Sequence, residues 1–371
     1  MDFIDLKAQQ KSIKDKIDKR IQSVLSHGKY IMGPEVYELE ERLADYVGSK
    51  YCISCSSGTD ALLIPLIAKG IGLGDAVITT PFTYIATAEV ISLLGAEPVF
   101  VDIYPETFNM DPNGIKHSIE NAKRKGLNPK AIIPVDLFGL PARYRLIEKI
   151  AIEYDLFVLE DAAQGFGGSI RDQKAGSFGH AAATSFFPAK PLGCYGDGGA
   201  IFTNDEDLAL IMQSIRVHGG GNDKYENIRI GLNGRIDTIQ AAILLEKLSI
   251  FNQELRLRNK AANYYTDHLN SSFHKPIIPK EYFSSWAQYS LLPASGEDRF
   301  EIMSRLKELN IPSMVYYKIP LHLQKVFEAL GYSKGDFPLS ERVSNEIFSI
   351  PMHPYLSTDQ QDKIIEALNN E

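Results

Sequence analysis

The chain has only three cysteines among 371 residues, too few for a disulfide framework to hold a chain of this size. It contains no apolar stretch approaching the length of a membrane span, no internal repeat and no low-complexity tract. Its first residues, Met1-Asp2-Phe3-Ile4-Asp5-Leu6-Lys7, lack the basic start and apolar core of a signal peptide. A cytoplasmic location without a membrane partner is therefore the expectation. Positive charge is also scarce: 39 Lys and Arg stand against 47 Asp and Glu, a net charge of −8, which argues against a nucleic-acid partner. A small anionic ligand needs only local basic groups and stays open. Cys52 and Cys55 have CxxC spacing, but they lie in a strand-like segment, where residues three apart point to opposite faces. No second cysteine pair completes a zinc site, so both read as packing residues and no metal is expected.

What the chain does have is alternation. Ile13, Ile17, Ile21 and Val24 mark one amphipathic helix, and Pro34 opens a second with Val36, Leu39, Leu43 and Tyr46 on one face. Apolar strands are predicted at Ala76–Thr79, Pro98–Ile103, Ala131–Leu137 and Leu156–Asp161, with helices around Thr83–Leu94, Pro112–Lys125 and Pro141–Tyr154 between them. This rhythm predicts an α/β fold whose mostly parallel sheet carries helices on both faces. Closely spaced strands follow at Ala183–Phe187 and Gly199–Asn204, then helices at Asp205–Arg216 and Arg235–Leu248. The last resumes after a short interruption as Phe251–Leu269. Beyond Ser271 the pattern suits a smaller α+β domain with strands at Gln288–Leu292 and Ser313–Tyr317. The expected division is 1–250 and 251–371.

Three features carry chemistry. Lys190 ends the apolar run Ser185-Phe186-Phe187-Pro188-Ala189 and enters a glycine-rich turn, while Asp161 ends the strand Leu156-Phe157-Val158-Leu159-Glu160. A lysine and an aspartate at the ends of two buried strands suit pyridoxal 5'-phosphate (PLP). The lysine holds the cofactor's aldehyde as a Schiff base, and the aspartate pairs with the protonated ring nitrogen. Alone, such a lysine is usually a solvated strand end, and such a Glu-Asp after a parallel strand is usually loop chemistry. The third feature is Cys55-Ser56-Ser57-Gly58-Thr59-Asp60 ahead of an apolar helix over Ala61–Lys69. Gly58 permits close backbone approach, and Thr59 offers a hydroxyl where free N–H groups and the helix dipole favour an anion. A plain N-cap is the competing reading. Pro65 is expected to disturb this helix, as a kink.

These motifs resemble, nearly end to end, the DegT/StrS group of nucleotide-sugar aminotransferases. The resemblance runs through Gly28-Lys29-Tyr30-Ile31-Met32-Gly33-Pro34, Ser56-Ser57-Gly58-Thr59-Asp60, Phe82-Thr83-Tyr84, Glu160-Asp161-Ala162-Ala163-Gln164, Lys190, Gly196-Asp197-Gly198-Gly199, His218-Gly219 and Asn233-Gly234-Arg235. It implies the type I, aspartate aminotransferase-like fold. It further implies that Lys190 is the cofactor lysine and proton shuttle, that Asp161 holds the pyridine nitrogen, and that Gln164 approaches the phenolic oxygen. Tyr84 would stack on the ring, and Gly58, Thr59 and Ser185 would hold the phosphate. Asn233 resembles a residue reaching the phosphate from a neighbouring subunit, so a homodimer with shared sites is implied. Arg235 would receive a substrate carboxylate, with Tyr30, Tyr316, Tyr317 and His322 near the sugar.

The run Phe186–Gly199 is similar to that of enzymes acting on UDP-linked 3-keto uronic acid sugars in surface-polysaccharide synthesis. L-Glutamate is the implied amino donor. Many relatives carry Glu-Gly-Gly where Asp197-Gly198-Gly199 stands, and Tyr316 replaces a common histidine. A dTDP- or UDP-linked 3-keto or 4-keto-6-deoxy sugar remains the alternative substrate. Two other readings are open: a sugar dehydratase of the same fold, against which Lys190 argues, and a non-catalytic regulator, which should have lost the Lys190–Asp161 pair.

Overall fold

The short polar residues ahead of the apolar runs act as caps. Asp5 Oδ1 accepts the Ala8 N–H at 2.8 Å, Ser57 Oγ accepts that of Asp60 at 3.0 Å, and Asp205 Oδ1 that of Leu208 at 3.1 Å, each satisfying a helix-start donor that has no partner inside its helix. In the computed structural model, residues 1–223, 225–294 and 298–369 are described. The chain runs α1 (Leu6–His27), α2 (Pro34–Val47), β1 (Tyr51–Cys55), α3 (Gly58–Ala68), β2 (Asp75–Thr79), α4 (Ala86–Leu93), β3 (Glu97–Phe100), α5 (Pro112–Arg124), β4 (Asn128–Ile132), α6 (Tyr144–Tyr154) and β5 (Phe157–Asp161). Then come β6 (Ser169–Ile170), β7 (Gln173–Lys174), β8 (Ala181–Ser185), β9 (Gly199–Thr203), α7 (Glu206–Arg216), α8 (Thr238–His268), β10 (Phe273–His274), β11 (Tyr282–Phe283) and β12 (Tyr289–Pro293). The last elements are α9 (Arg299–Glu308), α10 (Pro338–Glu346), β13 (Phe348–Ile350) and α11 (Thr358–Asn369).

The seven-stranded sheet has the order β1-β9-β8-β5-β4-β2-β3. It is mostly parallel as expected; β9 alone runs against its neighbours β1 and β8. Side chains alternate between two apolar layers. Ile53, Val77, Leu159 and Ile201 pack against α3, α4 and α7. On the other face Cys52, Ala182 and Phe202 meet α2 and α8, while Ile78, Ile132 and Val158 meet α5 and α6. Cys52 and Cys55 are buried in opposite layers, the outcome their spacing predicts. A second sheet, β10-β12-β13, packs with α9, α11 and the end of α8.

Several local expectations are corrected. α8 is one unbroken helix of 31 residues, not two. Ser249 turns its hydroxyl back onto the Glu246 carbonyl at 2.6 Å, so nothing at that point competes with the helix. The same helix starts at Thr238 rather than Arg235, leaving Asn233–Arg235 outside it, Asn233 in an isolated bridge to Val217. α3 starts at Gly58, with Ser57 as its cap, and continues through the buried Pro65 as a single element. The strand predicted at Ser313–Tyr317 reduces to one bridge, Met314 with Ser349, and that predicted to Leu137 ends as a regular strand at Ile132, the chain beyond keeping only an isolated parallel bridge to β5, Val135 with Asp161. Among the described residues no helix is long and apolar enough to cross a membrane.

Candidate active site

Asp161 is the last residue of β5 and Ser185 the last of the adjoining parallel β8, so both side chains emerge at the carboxyl edge of the sheet, where open α/β folds place ligands. Beyond Ser185 the chain closes a tight loop: Lys190 N–H reaches Phe187 O at 2.8 Å and Cys194 N–H reaches Phe186 O at 2.7 Å. Gly193 is needed there because a Cβ would lie 2.5 Å from the Pro188 carbonyl oxygen. This loop presents Lys190 to a cavity of about 650 Å³ that Asp161, Ser185, Gly58 and Thr59 also line. A Cβ on Gly58 would sit 2.5 Å from that of Ser185, so glycine is what lets the first turn of α3 close onto β8. The first-turn N–H groups of Gly58 and Thr59 have no acceptor within the helix, and both residues line this cavity.

Asp161 is 4 % exposed. Its Oδ2 accepts from Thr87 Oγ1 at 2.8 Å and its Oδ1 from the Ala163 N–H at 3.1 Å. Since Thr87 donates to the carboxylate, the 3.1 Å contact between Thr83 and Thr87 must have Thr83 as donor. Burial raises the Asp161 pKa, opposed by these donors and by Lys190. Burial likewise lowers that of Lys190, opposed by Asp161. A buried amine that loses its proton readily is a competent base.

Gln164, Tyr84, Tyr316 and Tyr317 line the same cavity. Tyr84 is 56 % exposed, its ring 6.4 Å from that of Tyr317. Four expected residues lie elsewhere. Arg235 Nη2 donates to Asn233 Oδ1 at 2.6 Å, and the Arg235 Nε is buried without a partner. Tyr30, 49 % exposed, lies on the adjacent loop, its carbonyl accepting the Thr238 N–H at 2.9 Å. Tyr30, Asn233 and Arg235 thus lie outside this chain's own cavity. His322 is buried against Glu341, Nε2 to Oε1 3.1 Å, and does not line the cavity.

Several lining residues were not anticipated. Thr83 and Thr87, four apart, carry a hydroxyl signal that spacing alone does not separate from ordinary helix chemistry. Ile4 arrives from the N-terminal segment, where Phe3 lies 6.4 Å from the Tyr316 ring, and only tertiary packing puts it there. Behind Asp161 lies a buried carboxyl pair. Asp136 Oδ1 accepts from the Ala142 N–H at 2.9 Å and from the Tyr144 hydroxyl at 2.8 Å, while Glu160 accepts the N–H groups of Gly176 and Phe178. Asp136 Oδ2 has no N–H or hydroxyl donor and meets Glu160 instead, so the pair needs one shared proton.

Burial raises the pKa of both carboxyls; Asp136 raises that of Glu160 further, while the hydrogen bond from Glu160 lowers that of Asp136. The sign follows: their contribution to stability is full below the ordinary carboxyl range and is lost as pH climbs through the raised values. Asp136→Asn keeps the Oδ1 acceptor and gives Glu160 a permanent N–H donor. The melting temperature of this variant relative to wild type is expected to rise steadily from acidic to alkaline buffer. A pH-independent difference counts against a shared proton.

The site fits PLP: a lysine with a lowered pKa, a buried carboxyl, an aromatic wall and a helix start open to phosphate meet in one cavity. Comparison with known proteins agrees. The model described as the DegT/DnrJ/EryC1/StrS aminotransferase family matches residues 11–369. The chain is 49 % identical to a UDP-2-acetamido-2-deoxy-3-oxo-D-glucuronate aminotransferase of Pseudomonas aeruginosa over 371 residues, all of both chains. It is 41 % identical to a pleiotropic regulatory protein of Geobacillus stearothermophilus, covering 99 % of this chain and 97 % of that one. A crystal structure of a DegT DnrJ EryC1 StrS aminotransferase from Brucella abortus superposes with a TM-score of 0.96 at 48 % identity, over 100 % of this chain and 99 % of the other. Other solved relatives are described with the cofactor as PMP or in a PLP form.

Proposed function

The chain belongs to the DegT/DnrJ/EryC1/StrS aminotransferase family, and from that premise we propose that it moves the amino group of L-glutamate to C3 of a UDP-linked 3-keto uronic acid sugar, a precursor of bacterial surface polysaccharide such as O-antigen. It is a PLP-dependent aminotransferase. The observation that carries the reading is the convergence of Lys190, Asp161 and the Gly58–Thr59 turn on one cavity. When bound, PLP supplies an aldehyde that takes up the donor's amino group and a ring that accepts the electron pair released at its Cα.

The chain supplies the proton chemistry and the orientation. Lys190 Nζ, as the neutral amine, accepts the proton from Cα of the amino acid and in the reverse half-reaction delivers one to C3 of the sugar. Asp161, fixed by Thr87 and the Ala163 N–H, holds the ring nitrogen's proton, and that cation in turn favours the ionised carboxyl. Gly58, Thr59 and Ser185 would hold the phosphate and Tyr84 the ring face. A regulatory role, suggested by one relative's name, would not require these groups to be assembled.

The cavity's charge supports a shared site. Among its lining residues Lys190 is the one cation, beside Asp161 and Asp197, whereas the ligands together carry a phosphate, a diphosphate and carboxylates. Basic groups must come from outside, and the Asn233–Arg235 patch of a second subunit is our candidate. An isologous dimer would form two such sites at once. Arg235 then meets a carboxylate bidentately, with Tyr316 and Tyr30 bordering the sugar. Tyr316 gives the C6 carboxylate one neutral hydrogen bond.

The test is the ratio of kcat/KM for the uronate over its 6-deoxy counterpart. We expect wild type to favour the uronate, and Tyr316→His to increase the ratio about tenfold, the value of one charge-assisted bond. A wild-type preference for a 6-deoxy or 4-keto sugar overturns the uronate assignment. Protein that stays colourless with PLP overturns the reading of this site as catalytic.

A further inference from the structure

The amide of Gln164 has one permitted orientation. One end of it accepts the Phe138 N–H at 2.9 Å, and because a backbone N–H only donates, that end is Oε1. Nε2 therefore faces the Tyr317 hydroxyl, 2.9 Å away, and donates to it. The Gln164 main chain is pinned as well, its carbonyl accepting from Ser285 Oγ at 2.8 Å. Tyr317 has correspondingly little freedom. Its ring packs edge-on against Phe82, 6.1 Å between centroids, and against Tyr316 at 5.9 Å.

This polarity decides what Tyr317 offers. Its oxygen receives a hydrogen from Gln164, and its own hydrogen goes to no protein acceptor among the described residues. Burial pushes the phenol's pKa upward, aided by Asp161, so the hydrogen is retained at any working pH. Gln164 has a second N–H, also uncommitted. Two side chains lining the cavity with Lys190 and Asp161 thus present free donors, while the oxygen of each already accepts a hydrogen bond. Such a pair matches an oxygen that carries negative charge; a neutral hydroxyl would also seek an acceptor for its own hydrogen.

Resting on the PLP reading above, we propose that Tyr317 is the second hydrogen-bond donor, beside Gln164, to the phenolic oxygen of the cofactor, holding that oxygen as an anion. The anion otherwise takes its hydrogen bond from the protonated nitrogen joined to Lys190. Two protein donors compete with that bond and make the nitrogen easier to deprotonate. Tyr317 is then a determinant of the charge state in which the loaded site awaits its amino donor.

The experiment is a pH titration of the visible absorption of PLP-loaded wild type and Tyr317→Phe. The phenyl ring preserves the packing against Phe82 and Tyr316 and removes only the hydroxyl. Asp161, Lys190, Asp197, Tyr84 and Tyr316 share the cavity and are common to both proteins, so their influence cancels in the comparison. The midpoint is expected to rise by about one pH unit in Tyr317→Phe, the scale of one hydrogen bond to a charged group. Gln164→Met, which removes the first donor and releases the second, is expected to shift it further in the same direction. An unchanged midpoint in both variants overturns the inference, and so does an unchanged midpoint with a raised KM for the keto-sugar, which would assign the hydroxyl to the substrate. Wild type that forms no lysine-linked absorption band at all would instead sink the cofactor reading on which the inference stands.

Discussion

Lys190→Ala is expected to abolish turnover and leave the fold intact. The side chain belongs to no apolar cluster, and the hydrogen bonds that shape its loop, Lys190 N–H to Phe187 O and Cys194 N–H to Phe186 O, are main-chain bonds that alanine preserves. Burial works against the ammonium form, so its loss should not lower the melting temperature by more than a few degrees. The chemical loss is large. Proton transfer by a positioned side chain alone contributes about 10²–10⁴ in rate, and the variant also loses the covalent hold on the cofactor. A fall of at least ~10³ in kcat is expected, with borohydride reduction and peptide mass analysis placing the cofactor on Lys190 in wild type. Retention of more than about one per cent of the activity at normal loading, or label on another lysine, refutes the assignment.

Two dead proteins are expected to make a live one. Replacing Asn233 and Arg235 together by alanine should abolish activity if these side chains complete the partner's cavity. The substitution leaves the local frame alone, since the adjoining loop is held through Thr238: its N–H reaches Tyr30 O at 2.9 Å and its hydroxyl accepts the Gly33 N–H at 3.0 Å. When subunits of this variant are mixed with Lys190→Ala subunits, each hybrid dimer has one site built from two defective contributions and one from two sound ones. Random re-pairing of equal amounts should restore about a quarter of the wild-type rate. Hybrids that form, as shown by two different affinity tags on one particle, and still do not turn over would place every catalytic group of a site within one chain.

Which parts of this molecule could be read from its sequence depends on how far apart the causes lie. Asp161, Lys190 and the Gly58–Thr59 turn each end or begin a regular element, so a local apolar pattern marks them, and the α/β alternation follows from the same patterns. Thr87 is different: its bond to Asp161 spans 74 residues and leaves no local trace. The Asp136–Glu160 pair is equally hidden, because a lone buried carboxyl looks like any strand-end acid until its neighbour is placed. At Ser313–Tyr317 the β-favouring composition was outvoted by tertiary demands, since Tyr316 and Tyr317 turn into the cavity. His322 stood beside the expected sugar site in sequence but was captured by Glu341, 19 residues on.

The continuity of α8 bears on how such enzymes can exchange parts. Its 31 residues span about 46 Å at 1.5 Å each, and they serve both apolar cores in succession. Phe251 stacks with Phe166 at 5.8 Å and lies 5.6 Å from Tyr46, whereas Ala262 and Tyr265, further along, belong to the cluster around β12 and β13. The boundary suggested by sequence, between residues 250 and 251, cuts this helix in the middle. A crossover there would join half-helices shaped by different ancestors, and neither core would inherit a matched surface. A junction after Leu269, where the helix ends, keeps the shared rod with the sheet that holds Lys190. Any substrate preference that the segment around Tyr316 carries could then pass between relatives as a cassette, with Lys190 and its supporting loops left undisturbed.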